Sequence, residues 1–172
     1  MKQQALLAVR FASGNLPSSL GSKTDSLVHW CHGAPGAVSM LCQAAAAYPD
    51  GRQAYLDAAA DAAKVVSQRG LVKKGFGICH GIGGNGLALL SLHAHTGDEG
   101  MRAQATRFAL FACQPACDDS ERIKKELLTT PDSPHSLFEG YAGVACLLAA
   151  LLEPPNTAAA RRHLGPACPW LI

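Results

Sequence analysis

The sequence predicts an all-α chain, and three observations carry that expectation. A short glycine-bearing pattern recurs three times, each time followed by an apolar run. Amphipathic stretches with helical spacing separate the recurrences. No run of Val, Ile and Thr alternates with polar residues at the period of two that a half-buried strand requires. The 172 residues are enough for one domain with a buried core, and 48% hydrophobic content excludes a fully disordered chain.

The recurring pattern is [H/E]-G-x-x-G. It reads His32-Gly33-Ala34-Pro35-Gly36, His80-Gly81-Ile82-Gly83-Gly84 and Glu139-Gly140-Tyr141-Ala142-Gly143. Gly33, Gly81 and Gly140 stand 48 and then 59 residues apart, a period suited to a helix-turn-helix unit. The runs that follow, AVSMLCQAAAAY, NGLALLSLHAH and VACLLAALL, are apolar nearly all round. Helices of that kind are buried on most sides, so these are expected to be inner helices.

The other elements fall between them. Residues 13–26, SGNLPSSLGSKTDS, read as a long loop. In 52–68, Leu56, Ala59, Ala63 and Val66 step by three and four, while Asp57, Asp61, Lys64 and Gln68 hold the opposite face. In 100–113, Met101, Ala105, Phe108 and Ala112 repeat that spacing, with Asp98 placed to cap the start. These two are expected outer helices. Residues 114–135 read as an irregular insertion with seven charges between Asp118 and Glu126, which accounts for the longer second interval. The segment from Pro154 onward has two proline breaks and little periodicity, so an irregular end is expected, with Trp170 packed.

Charge and composition narrow the function classes. A net charge of +2, dispersed Lys and Arg, and 6% aromatics argue against nucleic acid as a partner. The longest apolar stretch, Tyr141 to Leu152, falls short of the roughly 18 residues a membrane helix needs. MKQQALLAVRF is not read as a signal peptide, because Arg10 interrupts its apolar patch. Seven cysteines, an odd number in a chain of this length, suit reduced thiols and a cytoplasmic location. Cys42 and Cys146 sit in apolar runs and are expected to be core residues. Cys113 and Cys117 offer an alternative metal or redox pair.

The strongest chemical signal is Cys31-His32-Gly33 repeated as Cys79-His80-Gly81. Two such tripeptides at equivalent points of a repeat lie at the same end of adjacent helices. Thiolate and imidazole ligands suit Zn²⁺. Neighbouring residues point in different directions, so recruiting all four is geometrically hard. Three ligands with an open position and a closed four-ligand staple both stay open at this point, as does burial of the two cysteines with no metal. An open Cys-Cys-His site would favour the thiolate form of a thiol placed in its fourth position, which suits thiol transfer to an electrophilic carbon. Water activation is the competing use.

LVHWCHGAPG, KKGFGICHGIGGNG and SLFEGYAG resemble motif blocks of the lanthionine synthetase C-like (LanC-like) family. The likeness runs from about Leu27 to Leu152. It implies an α/α toroid of seven helical hairpins with one zinc at the mouth of the inner barrel. About three hairpins would be present, as a partial domain over 1–153 followed by an irregular tail, 154–172. The resemblance implies Cys31, Cys79 and His80 as zinc ligands, with His32 at the non-ligand position. It places Lys74, in KKGFG, where the family has a lysine implicated in glutathione binding. Glu139 falls where the third repeat faces the mouth, and satisfying backbone N–H groups is the simpler role for it.

The implied reaction is zinc-activated addition of a thiol, glutathione, to a dehydroamino acid in a peptide or protein, forming a thioether. The family's acid/base His and Asp come from earlier hairpins, so no catalytic residue is assigned here, and the chain is expected to lack that half of the site. His29, His93, His95 and His135 do not match those positions. The alternative is a non-catalytic module that keeps zinc and glutathione affinity. An α/α-toroid hydrolase is disfavoured by the lack of paired carboxylates. Unclosed toroid edges would expose apolar surface and favour self-association. The low charge, 16% against about 25% in typical domains, fits such an interior segment.

Overall fold

The computed structural model describes residues 10–117 and 133–152. Its helices are α1 (Ala34–Ala47), α2 (Arg52–Arg69), α3 (Ile82–Thr96), α4 (Glu99–Cys117) and α5 (Tyr141–Leu152), with a 3₁₀ turn at Pro49–Gly51. No strand occurs among the described residues. α1 pairs with α2 and α3 with α4. α3 lies at the centre, packed against α1, α2, α4 and α5. The helices that follow the glycine turns are inner and the amphipathic ones outer, which makes a partial α/α toroid.

Sequence patterning explains the layers. On α2, Leu56, Ala59, Ala62, Ala63 and Val66 are buried, and Asp57, Asp61, Lys64 and Gln68 face solvent. α3 is buried from Ile82 through His93 except at Leu87, as an all-round apolar helix must be. Leu89, Leu90, Leu92, Val38, Val66, Phe108 and Leu147 meet in one core. Burying each of these larger side chains contributes about 1.5–3 kcal/mol before chain entropy is counted. Asp98 caps α4 as expected, its Oδ1 accepting Gly100 N–H at 2.8 Å. α4 runs to Cys117, four residues past the expected end, and passes through Pro115. A proline so near a helix end forfeits one main-chain bond without ending the helix. Residues 118–132 of the expected insertion and the tail from residue 153 lie outside the described residues, while 133–135 form a turn as expected of a loop.

The inner helices are capped from a distance. α1 has no side-chain cap from its own N-cap, Gly33. Instead Asn15, fully buried in the 13–26 loop, accepts Ala34 N–H with Oδ1 at 2.8 Å. Its Nδ2 donates to Asp25 Oδ1 and Leu27 O, both at 2.8 Å. At α3, Ile82 N–H donates to Gly75 O and Gly84 N–H to Gly77 O, so the glycine loop itself satisfies the first turn. At α5, Tyr141 N–H donates to Pro134 O at 2.7 Å.

The segments ahead of the inner helices stack in register. Cys31 N–H donates to Cys79 O at 3.0 Å, and Cys79 N–H donates to Phe138 O at 2.8 Å. Cys31, Cys79 and Phe138 each stand three residues before their helix, so each rung joins equivalent positions of the repeat. Glycine permits this spacing. A Cβ on Gly143 would stand 2.7 Å from Gly77 Cα and from Ile78 N. On the far edge, Tyr141, Leu148 and Leu152 of α5 are exposed.

Asp25 fastens the long loop to α2. Arg69 Nη1 donates to both carboxylate oxygens at 3.0 Å, Arg69 Nη2 donates to Asp25 O at 2.8 Å, and Ser13 Oγ donates at 2.6 Å. Partial burial raises the Asp25 pKa, but the Ser13, Asn15 and Arg69 bonds and the Arg69 charge outweigh it and hold the carboxyl below its usual value. A lowered folded-state pKa stabilises the fold above the ordinary carboxylate range, and the contribution vanishes as pH falls through the folded value. Wild type is therefore expected to lose more stability between pH 5 and pH 2 than Asp25→Asn. The gap at pH 7 should be about 1 kcal/mol, modest because the Arg69 and Asp25 side chains keep 34% and 27% of their surface exposed. Urea melts across that pH range measure it, and parallel curves for the two proteins would refute it.

Candidate metal centre

The ladder places two cysteines side by side. Cys31 leads into α1 and Cys79 into α3, and His80 follows Cys79 directly. The ligand atoms of Cys31, Cys79 and His80 all lie within 4.8 Å of one another. This is the only group of three or more His, Cys, Asp or Glu residues so placed among the described residues. Of the four candidates in the two CHG tripeptides, the structure gathers three. His32 is exposed and does not join them, as the divergence of adjacent side chains requires.

The surroundings are basic and partly dry. His29 is 8% exposed, its ring centroid 6.0 Å from that of His80. Burial, then the His80, Lys74 and His32 charges, push His29 down to about 4, so this imidazole is neutral near pH 7. Lys74, exposed on the α2–α3 connection, is thus within electrostatic reach of the His29–His80 pair. The Cys31 thiol is pushed up to about 11, by desolvation first and then by its hydrogen bond and charge coupling with Cys79. The backbone N–H groups of Cys31 and His32 oppose that rise. Two sulfurs beside an imidazole form a donor set that a divalent cation could deprotonate and occupy, and two S and one N are ligands Zn²⁺ accepts.

Other expected positions have different fates. Cys42 is fully buried, which keeps dissolved reagents from it, and burial pushes its thiol up to about 11. Cys146 is half-buried, less enclosed than its apolar run suggested. Cys113 is half-buried, and the side chain of Cys117 lies outside the described residues. His93 and His95 are packed polar residues, their Nδ1 atoms bonded to Asp98 O and Ser91 O. Glu139 takes a Ser136 Oγ bond at its own backbone N–H.

Three supporting residues escaped the sequence reading. His29 walls the site, Asn15 caps α1, and Asn85 Nδ2 donates to Val28 O and Gly70 O at 2.9 Å. Asn85 thereby ties the stretch of chain leading to Cys31 onto α3. A lone amide inside an otherwise apolar helix was the available signal, since a buried amide requires partners.

Paired inner and outer helices with a Cys-Cys-His cluster ahead of the inner ones define a toroidal helical protein whose cluster could hold a metal ion. The family described as lanthionine synthetase C-like protein matches residues 5–162, and the chain belongs to it. It is 42% identical over 146 residues to "Glutathione S-transferase LANCL1" of Danio rerio, covering 85% of this chain and 34% of that protein. It is 40% identical over 147 residues to "LanC-like protein GCL1" of Arabidopsis thaliana, covering 84% of this chain and 32% of that one. The chain thus spans about a third of the length of these curated relatives.

Proposed function

We propose that Cys31, Cys79 and His80 hold one Zn²⁺ and that the centre serves addition of the glutathione thiol to a dehydroamino acid. The observation that carries this reading is the approach of the three ligand atoms to within 4.8 Å. The name of the zebrafish relative supports glutathione as the thiol. When bound, Zn²⁺ supplies a Lewis acid that favours the thiolate over the thiol at neutral pH. The overall reaction forms an S–C bond at the β-carbon and leaves the thiol's proton on the α-carbon.

The chain's residues divide the remaining work. Cys31 and Cys79, as thiolates, would cancel the charge of a bound Zn²⁺, which would leave a substrate thiolate electron-rich, and His80 would hold the ion through a ring nitrogen. The first turns of α1, α3 and α5 carry no acidic residue, so no carboxylate there repels an anionic thiol substrate. Lys74 contributes a cation at the same side and is proposed to pair with a glutathione carboxylate. His29 presents a neutral, largely dry wall that limits water near the sulfur. No described helix is long and apolar enough to cross a membrane.

The test is incubation of the zinc-loaded chain with glutathione and a dehydroalanine peptide, followed by mass spectrometry. The thioether adduct is expected, absent in Cys79→Ala. Lys74→Ala is expected to weaken glutathione about tenfold, the equivalent of ~1.4 kcal/mol for a charge-assisted pair. Zinc and glutathione binding without adduct would replace the enzyme by a binding module. One observation favours that second reading: neutral His29 carries no spare proton for the α-carbon near pH 7.

A further inference from the structure

We propose that Cys31 and Cys79 are a reversible dithiol–disulfide pair that exchanges with glutathione disulfide and, once oxidised, closes the site to metal. The pair itself stands on geometry; only its effect on metal rests on the zinc reading above. The Cys31 N–H to Cys79 O bond of 3.0 Å holds the two backbones side by side. Adjacent backbones so bonded run about 4.8 Å apart, inside the ~4.4–6.8 Å Cα range a disulfide spans. The sulfurs lie within 4.8 Å of each other, so a modest side-chain rotation brings them to bonding distance. Cys31 is exposed, so a dissolved disulfide can reach it. Cys42, by contrast, is fully buried in the core.

The exchange balances without further reactants. The Cys31 sulfur attacks one sulfur of glutathione disulfide, breaking its S–S bond and releasing one glutathione. The Cys79 sulfur then displaces the second glutathione from Cys31. Both protein protons leave on the two glutathione thiols; the protein loses two electrons and glutathione disulfide gains them. A sulfur committed to the disulfide is no longer a thiolate ligand, so metal and disulfide exclude each other. The oxidised form of the proposed substrate would thereby switch the site off, and its reduced form would restore it.

The experiment incubates the full chain, stripped of metal by chelation, with buffers of reduced and oxidised glutathione, then blocks free thiols and maps peptides by mass spectrometry. The expected result is a Cys31–Cys79 linked peptide, with the titratable thiols falling from seven by two. Cys79→Ser is expected to stall as a stable Cys31–glutathione mixed disulfide. A mixed disulfide persisting at Cys31 in wild type, or a linkage through other cysteines, would overturn the pair. Zinc uptake is measured separately on reduced and oxidised samples. Loss of uptake on oxidation, recovered on reduction, supports the switch, and equal uptake by both forms overturns it. A reduced chain that takes no zinc would refute the metal reading and the switch, while the presence or absence of the linked peptide would still decide the pair.

Discussion

Cys79→Ala is expected to emerge from zinc loading and desalting with no retained metal, while wild type retains one equivalent. Cys31→Ala and His80→Ala should behave alike, because each removes one of three ligand atoms gathered within 4.8 Å. The loss in affinity should exceed 100-fold, since a mere supporting partner is worth about 10–100-fold. His32→Ala is the internal control: it sits in the same tripeptide but is exposed and outside the cluster, and it should retain full stoichiometry. Cys42→Ala is a second control, expected to lose stability and keep metal, as its thiol is enclosed in the core. Affinity should fall as pH is lowered, because protons compete for the sulfurs; Cys31 holds its proton up to about 11 without metal. Metal analysis on the five variants and wild type decides the matter. Retention in all three ligand variants would remove the site.

The second large effect is expected at Gly84→Ala. A Cβ there would run into the Ile78 carbonyl oxygen, with Ile78 C 2.8 Å away. Both sides are backbone, and α3 is buried at this turn, so neither can yield without dragging the loop that carries Cys79. A cost of about 3 kcal/mol or more follows. The urea midpoint should drop accordingly, and zinc affinity should fall with it. Gly86→Ala is the contrast, since the nearest atoms to its Cβ would be those of the Leu147 side chain, which can turn aside at smaller cost than backbone. Equal midpoints for Gly84→Ala and wild type would show that the inner helices pack more loosely than described.

Much of this was legible in the sequence because it was periodic. The three apolar runs and their glycine turns mark α1, α3 and α5, and the stepped Leu, Ala and Val of 52–68 mark α2. The recurrence of Cys-His-Gly placed Cys31 and Cys79 at one level of the stack. What stayed hidden has no period. Asn15 reaches 19 residues along the chain to Ala34, and Asn85 reaches 57 back to Val28. Such bonds depend on how distant segments meet, which local pattern does not encode. The role of His29 is hidden for the same reason: its place beside the His80 ring depends on how two distant segments meet.

The backbone rungs have a consequence for how this architecture can change. Each rung fixes only the three-residue step from Cys31, Cys79 or Phe138 to the helix that follows. The chain between one rung and the next carries no such constraint, and the intervals of 48 and 59 residues differ freely. Lengthening an outer connection therefore leaves the alignment of the mouth untouched, whereas one residue inserted between Cys79 and Ile82 would rotate the following helix by about 100° and unseat the cluster. Variation is thus channelled outward: the outer connections can be rewritten piece by piece, while the level at which Phe138 stands with the two cysteines is held by the rungs.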